Sequence, residues 1–186
     1  MLINELTVGM VQTRCYVLSP EDGQECIVID PGDEAERIRK TAGDRKIAAI
    51  LLTHGHFDHI GAVRDLMAAD TRLVIHSLDA PMLADPALNA GLGLLGRKIT
   101  TPDATDTVKE GDELELAGLK VKVLHTPGHT PGSVCYLIEN ELFTGDTLFD
   151  YGWGRTDLPG GSEAQMEASL RRLMPMVRSI PMHAGH

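Results

Sequence analysis

Residues 54–59, with the sequence HGHFDH, constrain this chain more than any other stretch, because they place three imidazoles and one carboxylate within six positions. Imidazole nitrogen and carboxylate oxygen are the donors that zinc, iron and manganese accept at neutral pH, and imidazole binds a metal only when deprotonated. The apolar run 47–52 comes directly before them and predicts a strand covered on both faces. The donors would then lie on the loop beyond that strand, where rigid scaffolds often present functional groups. The stretch predicts a metal centre.

Length and composition limit the class of protein. The 186 residues fit one domain, over residues 1–186, and nothing in them requires a second. With 17 basic and 27 acidic residues the net charge is −10, and no basic stripe suited to nucleic acid is visible. No apolar run approaches the about 18 residues of a membrane span, and the N-terminus lacks the features of a secretory signal. We therefore expect no nucleic-acid or membrane partner, and the oligomeric state stays open.

The cysteines indicate the compartment. There are three of them, each inside an apolar run that predicts a strand, and none has a CxxC spacing. An odd number of isolated cysteines fits buried thiols in a reducing environment. We expect a cytoplasmic protein. The residues are Cys15, Cys26 and Cys135.

The pattern of turns and apolar residues predicts two strand-rich halves with interleaved helices. We expect helices from Glu34 to about Thr41, capped by Asp33, over residues 60–67, and from Ser162 with a buried stripe reaching Val177. The segment 86–105 is the least regular, and a surface connection and a substrate-covering flap are equally weighted for it. Such halves suggest a β-sandwich flanked by helices, an α+β arrangement. The predicted strands are 2–8, 14–18, 25–30, 47–52, 72–76, 113–116, 119–124, 134–138 and 141–143.

Further donors occur in the same context as the first cluster, at a strand end followed by glycine or proline. His129 lies in the predicted turn between the strands 119–124 and 134–138, and Asp146 follows the strand 141–143. Together with the first cluster, His129, Asp146 and a late Gly-His pair at 185–186 form a pattern that resembles the metallo-β-lactamase-fold hydrolase superfamily. Four segments are most similar to short glyoxalase II-like, hydroxyacylglutathione hydrolase-like proteins: DPG at 30–32, HTPGHTPGS at 125–133, TGDTLF at 144–149 and GRTDLPGGS at 154–162.

The resemblance implies a four-layer αββα sandwich with two divalent metal ions in a cleft at one edge of the sheets. Zinc is the first expectation, with iron or manganese as alternatives. Asp146 would bridge the two ions, and Asp58 would also be the catalytic residue. The implied ligands are His54, His56 and His129 for the first ion, and Asp58, His59 and His186 for the second.

The implied chemistry is hydrolysis by a metal-bridging hydroxide, since two cations lower the pKa of a shared water towards neutrality. The substrate would be a thioester such as S-lactoylglutathione or a similar small acyl compound. A β-lactamase is less favoured, because its classes depart from this ligand pattern. Two alternatives share the fold: a lactonase acting on acyl-homoserine-type lactones, and a mononuclear-iron persulfide dioxygenase using His54, His129 and Asp146. A metal-stabilised binding protein without turnover is a third class.

Other residues have weaker assignments. Asp30 is expected either to orient a liganding histidine or to form a turn before Pro-Gly. Arg155 and Asp157 are expected to pair at the cleft wall, although Arg155 could also bind a substrate carboxylate. His183 is the rival of His186 for the last ligand position, which the Gly-His pattern gives to His186. Because the family pattern continues beyond this pair, we also expect the natural chain to extend past 186. Residues 1–186 do not include the basic C-terminal extension with which glutathione-thioester hydrolases hold their substrate.

Overall fold

The computed structural model describes all 186 residues, which form two β-sheets packed face to face with helices on both outer sides. The first sheet contains β1 (Leu2–Val8), β2 (Thr13–Ser19), β3 (Glu25–Ile29), β4 (Lys46–Leu51), β5 (Arg72–His76) and β6 (Asp106–Val108), in that order. The second has the order β11-β10-β9-β8-β7. Its strands are β7 (Glu113–Leu116), β8 (Leu119–His125), β9 (Val134–Ile138), β10 (Glu141–Gly145) and β11 (Met182–Ala184).

Three apolar clusters separate the layers. The alternation of side chains along β2 directs Cys15 and Val17 towards the outer helical layer, and Tyr16 and Leu18 into the space between the sheets. A smaller cluster on the outer face of the second sheet includes Leu173. The arrangement is therefore α+β, with four layers in the order αββα, and the fold class predicted from the sequence is confirmed.

The helices are α1 (Ala35–Ala42), α2 (Phe57–Ile60), α3 (Val63–Leu66), α4 (Gly91–Leu95) and α5 (Glu163–Leu173), with a 3₁₀ turn over Ala80–Leu83. The Ser162 cap of α5 is confirmed, because its hydroxyl accepts a hydrogen bond from Gln165 N. None of the helices combines the length and the apolar character needed to cross a membrane.

Three details of the sequence prediction were wrong. Asp33 caps no turn of α1, since its carboxylate accepts only from Glu34 N, and Glu34 itself has left-handed backbone. The helix expected over 60–67 is two short pieces. Helix α5 ends at Leu173, just before Pro175, and Val177 packs against the same cluster as Leu173 from the turn that follows. The short elements β6, β11 and α4 were missed because three to five residues carry too little periodicity to be recognised.

Parallel pairing places the carboxyl ends of β3, β4 and β5 at one edge of the first sheet. Asp30 follows β3, the histidine-rich loop follows β4, and Asp79 lies three residues beyond β5. The second sheet is tied to this edge by Tyr136, whose hydroxyl donates to Leu52 O at 2.9 Å, and by Val134 N, which donates to Thr53 O at 2.8 Å. Both sheets therefore fix the position of the loop 53–59.

The final residues are held by both sheets as well. Arg14 N in β2 donates to Gly185 O at 2.7 Å, and Gly185 N donates to Gly145 O at 2.9 Å. The Tyr16 hydroxyl donates to Ala184 O at 2.6 Å. His186 is thus positioned by backbone contacts on each side of the cleft.

Gly32 tests how closely the loops at this edge are packed. A Cβ on Gly32 would lie 1.7 Å from Asp58 O, whereas a Cβ on Gly93, in α4, would meet nothing within 4 Å. We expect Gly32→Ala to lower the free energy of unfolding by at least about 3 kcal/mol, the upper end of the usual cost of overpacking. The matched Gly93→Ala should raise it by roughly 0.5–1 kcal/mol. Urea denaturation of the metal-free protein measures both, and equal effects would contradict the packing described here.

Candidate metal centre

The structure brings all seven predicted ligands together at the edge of the two sheets. Three groups of side chains offer donor atoms that lie within 4.8 Å of one another. We call the first the three-histidine set (His54, His56 and His129) and the second the mixed set (Asp58, His59 and His186). The remaining group is His54, His59 and Asp146.

The rings of the three-histidine set converge, and hydrogen bonds on the side away from the cleft hold two of them, His54 and His129. His56 Nδ1 lies 2.9 Å from His129 Nε2. His129 Nδ1 donates to Arg155 O at 2.7 Å, which leaves Nε2 with a free lone pair on the cleft side. The Thr53 hydroxyl donates to Asp30, so it accepts from His54 Nδ1 at 3.1 Å. In both rings, a hydrogen bond to the outer nitrogen selects the tautomer that presents Nε2 as a metal ligand.

The mixed set is organised around carboxylates. Asp58 Oδ2 lies 3.3 Å from His186 Nε2 and 3.5 Å from His59 Nε2. His59 Nδ1 lies 3.0 Å from Asp30 Oδ2, an ion-pair contact whose angle falls short of a well-formed hydrogen bond. Asp30 also accepts from Thr53 N at 2.8 Å and from the Thr53 hydroxyl at 2.6 Å. Asp30 therefore joins the loop 53–59 to a predicted ligand, while the hydrogen bonds of its side chain go to Thr53 and not to its own Pro-Gly turn.

Asp146 lies between the two sets. Its Oδ1 is 3.4 Å from His59 Nε2, and its Oδ2 is 3.5 Å from both His129 Nε2 and His186 Nε2. One carboxylate thus faces members of each set.

The donor atoms fit a metal. Buried polar atoms almost always have a hydrogen-bond partner, and leaving one without a partner is costly. Here several buried atoms of the predicted ligands have none. Imidazole nitrogen and carboxylate oxygen together suit a divalent transition metal. These atoms are His54 Nε2, His56 Nε2, both ring nitrogens of His59, and Asp146 Oδ1.

Burial keeps two of the histidines neutral. Desolvation is the main cause that lowers the pKa of His56 to about 3, with the neighbouring His129 ring adding to it. Desolvation, followed by the nearby His59 and His129 rings, holds the pKa of His54 well below its ordinary value. Both imidazoles are therefore unprotonated at neutral pH, the form that binds metal.

The mixed set has the opposite protonation. Burial lowers the pKa of His186, but hydrogen bonds to Asp146 and Asp58 outweigh it and raise the pKa to about 9. Burial also opposes the charged form of His59, yet the carboxylates of Asp146, Asp58 and Asp30 raise its pKa well above the ordinary value. In the metal-free protein both rings are therefore protonated on both nitrogens and positively charged at pH 7, and a metal must displace one proton from each.

A cavity of about 260 Å³ opens onto these ligands. Arg155 lies at its wall and pairs with Asp157 through two contacts of 2.7 Å, the arrangement favoured for this pair from the sequence. The segment 86–105 contributes two wall residues from its short helix region. Apart from the ligands, the wall is mostly apolar: Val11, Phe57, Ala90, Leu94, Phe149 and Leu158.

Three other histidines lie outside the cluster. His183 Nε2 pairs with Glu141 at 2.8 Å, and the His183 ring stacks on Phe143. The rings of His76 and His125 stack on each other with centroids 4.1 Å apart. The structure thus places His186, and not His183, among the other donors.

Sequence reasoning missed two residues that contact this region. Thr13 donates from its hydroxyl to Asp58 Oδ2 at 3.3 Å, and the buried Asp79 contacts both ligand loops. Asp79 could have been found from its position, since it follows a parallel strand as Asp30 does. Thr13 carries no comparable signal.

Comparison with known proteins gives the family. The protein-family model described as "Metallo-beta-lactamase superfamily" matches residues 8–180 of this chain. The hydroxyacylglutathione hydrolase GloC of Haemophilus influenzae is 35% identical over 202 residues, which cover 100% of this chain and 91% of the relative.

Solved structures of similar proteins share the fold. The BLEG-1 B3 metallo-beta-lactamase superposes with a TM-score of 0.92 at 38% identity, covering 100% of this chain and 91% of the other. TTHA1623 in a di-iron-bound form superposes with a TM-score of 0.85 at 36% identity, covering 98% of this chain and 91% of the other. ETHE1 from Myxococcus xanthus superposes with a TM-score of 0.78 at 27% identity, covering 100% of this chain and 76% of the other.

The two sets should respond differently to pH. Because the pKa values of His59 and His186 are raised, protons compete with a metal at the mixed set as the pH falls below about 9. The three-histidine set, whose His54 and His56 stay neutral, should retain metal to lower pH. Calorimetric zinc titration in buffers of different ionisation enthalpy counts the protons released. We expect more protons from one zinc equivalent than from the other, and identical pH dependence of both would contradict the assignment.

Asp30→Asn should weaken metal binding at the mixed set. The amide keeps the size of the side chain but removes the charge beside His59 Nδ1. Loss of such a supporting partner typically costs 10–100-fold in metal affinity. Competition with a chromophoric chelator measures the affinity of each equivalent. An unchanged affinity would show that Asp30 serves only the turn.

Proposed function

The chain belongs to the metallo-beta-lactamase superfamily, and from this membership we propose that it is a two-metal hydrolase of thioesters with a small acyl group, of which S-lactoylglutathione is the first candidate. Family membership and the hydrolase relative support the coarser statement, a metal-dependent hydrolase. The number of ions, their identity and the scissile bond belong to the proposal.

The position of Asp146 is the observation that carries the two-metal part. Its carboxylate oxygens lie within 3.5 Å of nitrogens from both sets. A carboxylate that faces nitrogen donors of two groups is suited to serve both. Each set contributes three donors of its own, which leaves coordination positions for water and substrate.

Two divalent ions held by these sets would supply Lewis acidity, activating water as a nucleophile near neutral pH and polarising the substrate carbonyl. We propose zinc for both, and the di-iron form of the similar TTHA1623 makes iron the main alternative.

Asp58 carries the catalytic role in this proposal. Burial raises its pKa, but the charge of His59 and the hydrogen bond with His186 outweigh this, so the net shift is downward and the side chain is ionised. Its carboxylate lines the cavity and can accept a proton from water. The Thr13 hydroxyl bonded to Asp58 Oδ2 holds the group in position.

The cleft supports a small acyl substrate. Its largely apolar wall can exclude water from the acyl group and strengthen the electrostatic interactions at the carbonyl. A thiolate leaves readily, because an ordinary thiol has a pKa near about 8.5, so a general acid is not needed. The similarity to a hydroxyacylglutathione hydrolase supports a thioester over other acyl compounds.

A persulfide dioxygenase is the second candidate, favoured by the GRTD segment at 154–157, which resembles that class. In that case one iron would be held by His54, His129 and Asp146. Elemental analysis and oxygen uptake with glutathione persulfide separate the two. One iron per chain with oxygen consumption would replace the hydrolase proposal.

Loss of a ligand should remove hydrolysis and metal together. We expect His56→Ala and Asp146→Asn each to lower the rate of thiol release from S-lactoylglutathione by at least about 100-fold, the upper end of what a supporting residue contributes. His183→Ala, at a histidine outside the cluster, is the matched control and should retain the rate. The assay follows thiol release with a chromogenic disulfide, alongside metal content.

Other substrates test the specificity. An acyl-homoserine lactone and a β-lactam, the latter suggested by the similar BLEG-1, form the comparison panel. Faster turnover of either than of any thioester would reject the thioester proposal, while unchanged hydrolysis in both ligand variants would reject the site.

A further inference from the structure

Asp79 is a fully buried carboxylate that none of the metal-ligand groups contains. It precedes the 3₁₀ turn and lies at the same sheet edge as Asp30. A buried carboxylate needs strong hydrogen bonds to remain ionised. Its contacts therefore identify what it serves.

All three polar groups that contact the carboxylate come from the loops of the three-histidine set. Oδ2 accepts from Gly55 N at 3.1 Å and from the Thr130 hydroxyl at 2.6 Å. Oδ1 accepts from Gly132 N at 2.6 Å. Gly55 separates His54 from His56, and Thr130 follows His129, so one side chain joins the two loops that present the three imidazoles.

The chemistry of the contacts requires a carboxylate. Two backbone amides and one hydroxyl all act as donors towards it, and an ionised carboxylate is an acceptor at both oxygens. An asparagine would present an NH₂ group to at least one of these donors, and an unsatisfied or repulsive pair would result. The Thr130 hydroxyl is oriented in turn, since it also lies 2.7 Å from Ser133 Oγ.

The two loops also pack against this segment without space to spare. A Cβ on Gly132 would lie 2.6 Å from Asp79 Oδ1, and a Cβ on Gly55 would lie 2.6 Å from Met82 Cβ in the 3₁₀ turn. Both glycines thus permit backbone amides to reach the carboxylate. Hydrogen bonding and packing independently indicate that the loop separation is set here.

We propose that Asp79 is a positioning residue for the three-histidine set: its carboxylate fixes the distance between the His54/His56 loop and the His129 loop, and thereby the metal affinity of that set alone. The proposal rests on metal binding by these histidines, which is part of the proposed function, but not on the identity of the substrate. Asp30 contacts His59 of the mixed set directly and reaches His54 only through Thr53, and it makes no bond to Gly132 or Thr130.

The test measures zinc affinity at each set separately, by chelator competition. His56→Ala and His186→Ala identify which equivalent belongs to the three-histidine and which to the mixed set. Asp79→Asn should weaken zinc binding at the three-histidine set by 10–100-fold, as expected for loss of a supporting partner. Binding at the mixed set should stay within about threefold of the unmodified protein.

Thr130 provides a milder pair of variants for the case in which Asp79→Asn does not fold. Thr130→Val keeps the shape but removes the hydroxyl that donates to Asp79, whereas Thr130→Ser retains it. We expect Thr130→Val to weaken zinc binding at the three-histidine set by about tenfold, and Thr130→Ser to restore most of it. A merely structural role would not produce this site-selective loss and rescue.

The outcomes separate the two levels of inference. Equal weakening of both sets in Asp79→Asn, or no difference between Thr130→Val and Thr130→Ser, overturns the role of Asp79 while leaving the proposed function intact. An unmodified protein that binds no zinc, iron or manganese overturns the proposed function and this inference together.

Discussion

The structure depends on keeping several imidazoles buried, unprotonated and aimed at one point. Water would otherwise occupy these nitrogens, and a proton would bind them, so the site must exclude solvent and also fix each ring. Exclusion of solvent keeps His54 and His56 unprotonated, because desolvation lowers their pKa values. Hydrogen bonds to the ring nitrogen that points away from the cleft fix the orientation of two rings, through Arg155 O for His129 and through the Thr53 hydroxyl for His54. Both requirements can be met only where two sheets close over the same edge, which explains why each ligand loop is tied to the opposite sheet as well as to its own strand.

The scaffold reaches this result by repetition of a simple element. Along the parallel part of the first sheet, each strand ends at the same edge, and each is followed by a polar side chain directed at that edge. Asp30 and Asp79 lie on either side of the histidine-rich loop and accept hydrogen bonds from Thr53 N and Gly55 N, respectively. The loop is therefore held from both neighbouring strands by buried carboxylates, and its histidines have little freedom to relax when a metal is absent. Glycines at 32, 55 and 132 make this possible, since a side chain at any of them would collide with a neighbouring loop.

Much of this could be predicted from the sequence, and the reasons are local. The strand β4 is a continuous apolar run, and HGHFDH follows it directly, so the position of the first donors can be deduced from burial and spacing. His129 and Asp146 could be recognised because they also follow strand ends, but their proximity to the first cluster came only from the resemblance to a family. The contact between Thr13 and Asp58 joins residues 45 positions apart and has no periodic signal. The bond between Asp79 and Gly132 spans 53 positions and depends on the crossing of two sheets, which no local pattern encodes.

The two halves of the centre differ in more than their ligands. The three-histidine set includes His54 and His56, which burial keeps neutral, while the mixed set combines Asp58 with two imidazoles that neighbouring carboxylates hold in the protonated state. Neutral imidazoles favour zinc, iron and related transition metals, whereas oxygen donors also accept harder ions such as manganese. A cation bound at the mixed set would restore the charge balance that the displaced protons provided, because the carboxylates of Asp30, Asp58 and Asp146 lie around His59. In the proposed two-metal centre, ion selection would therefore rest mainly on donor softness at one set and mainly on charge at the other, and Asp146, which faces both, would couple the two.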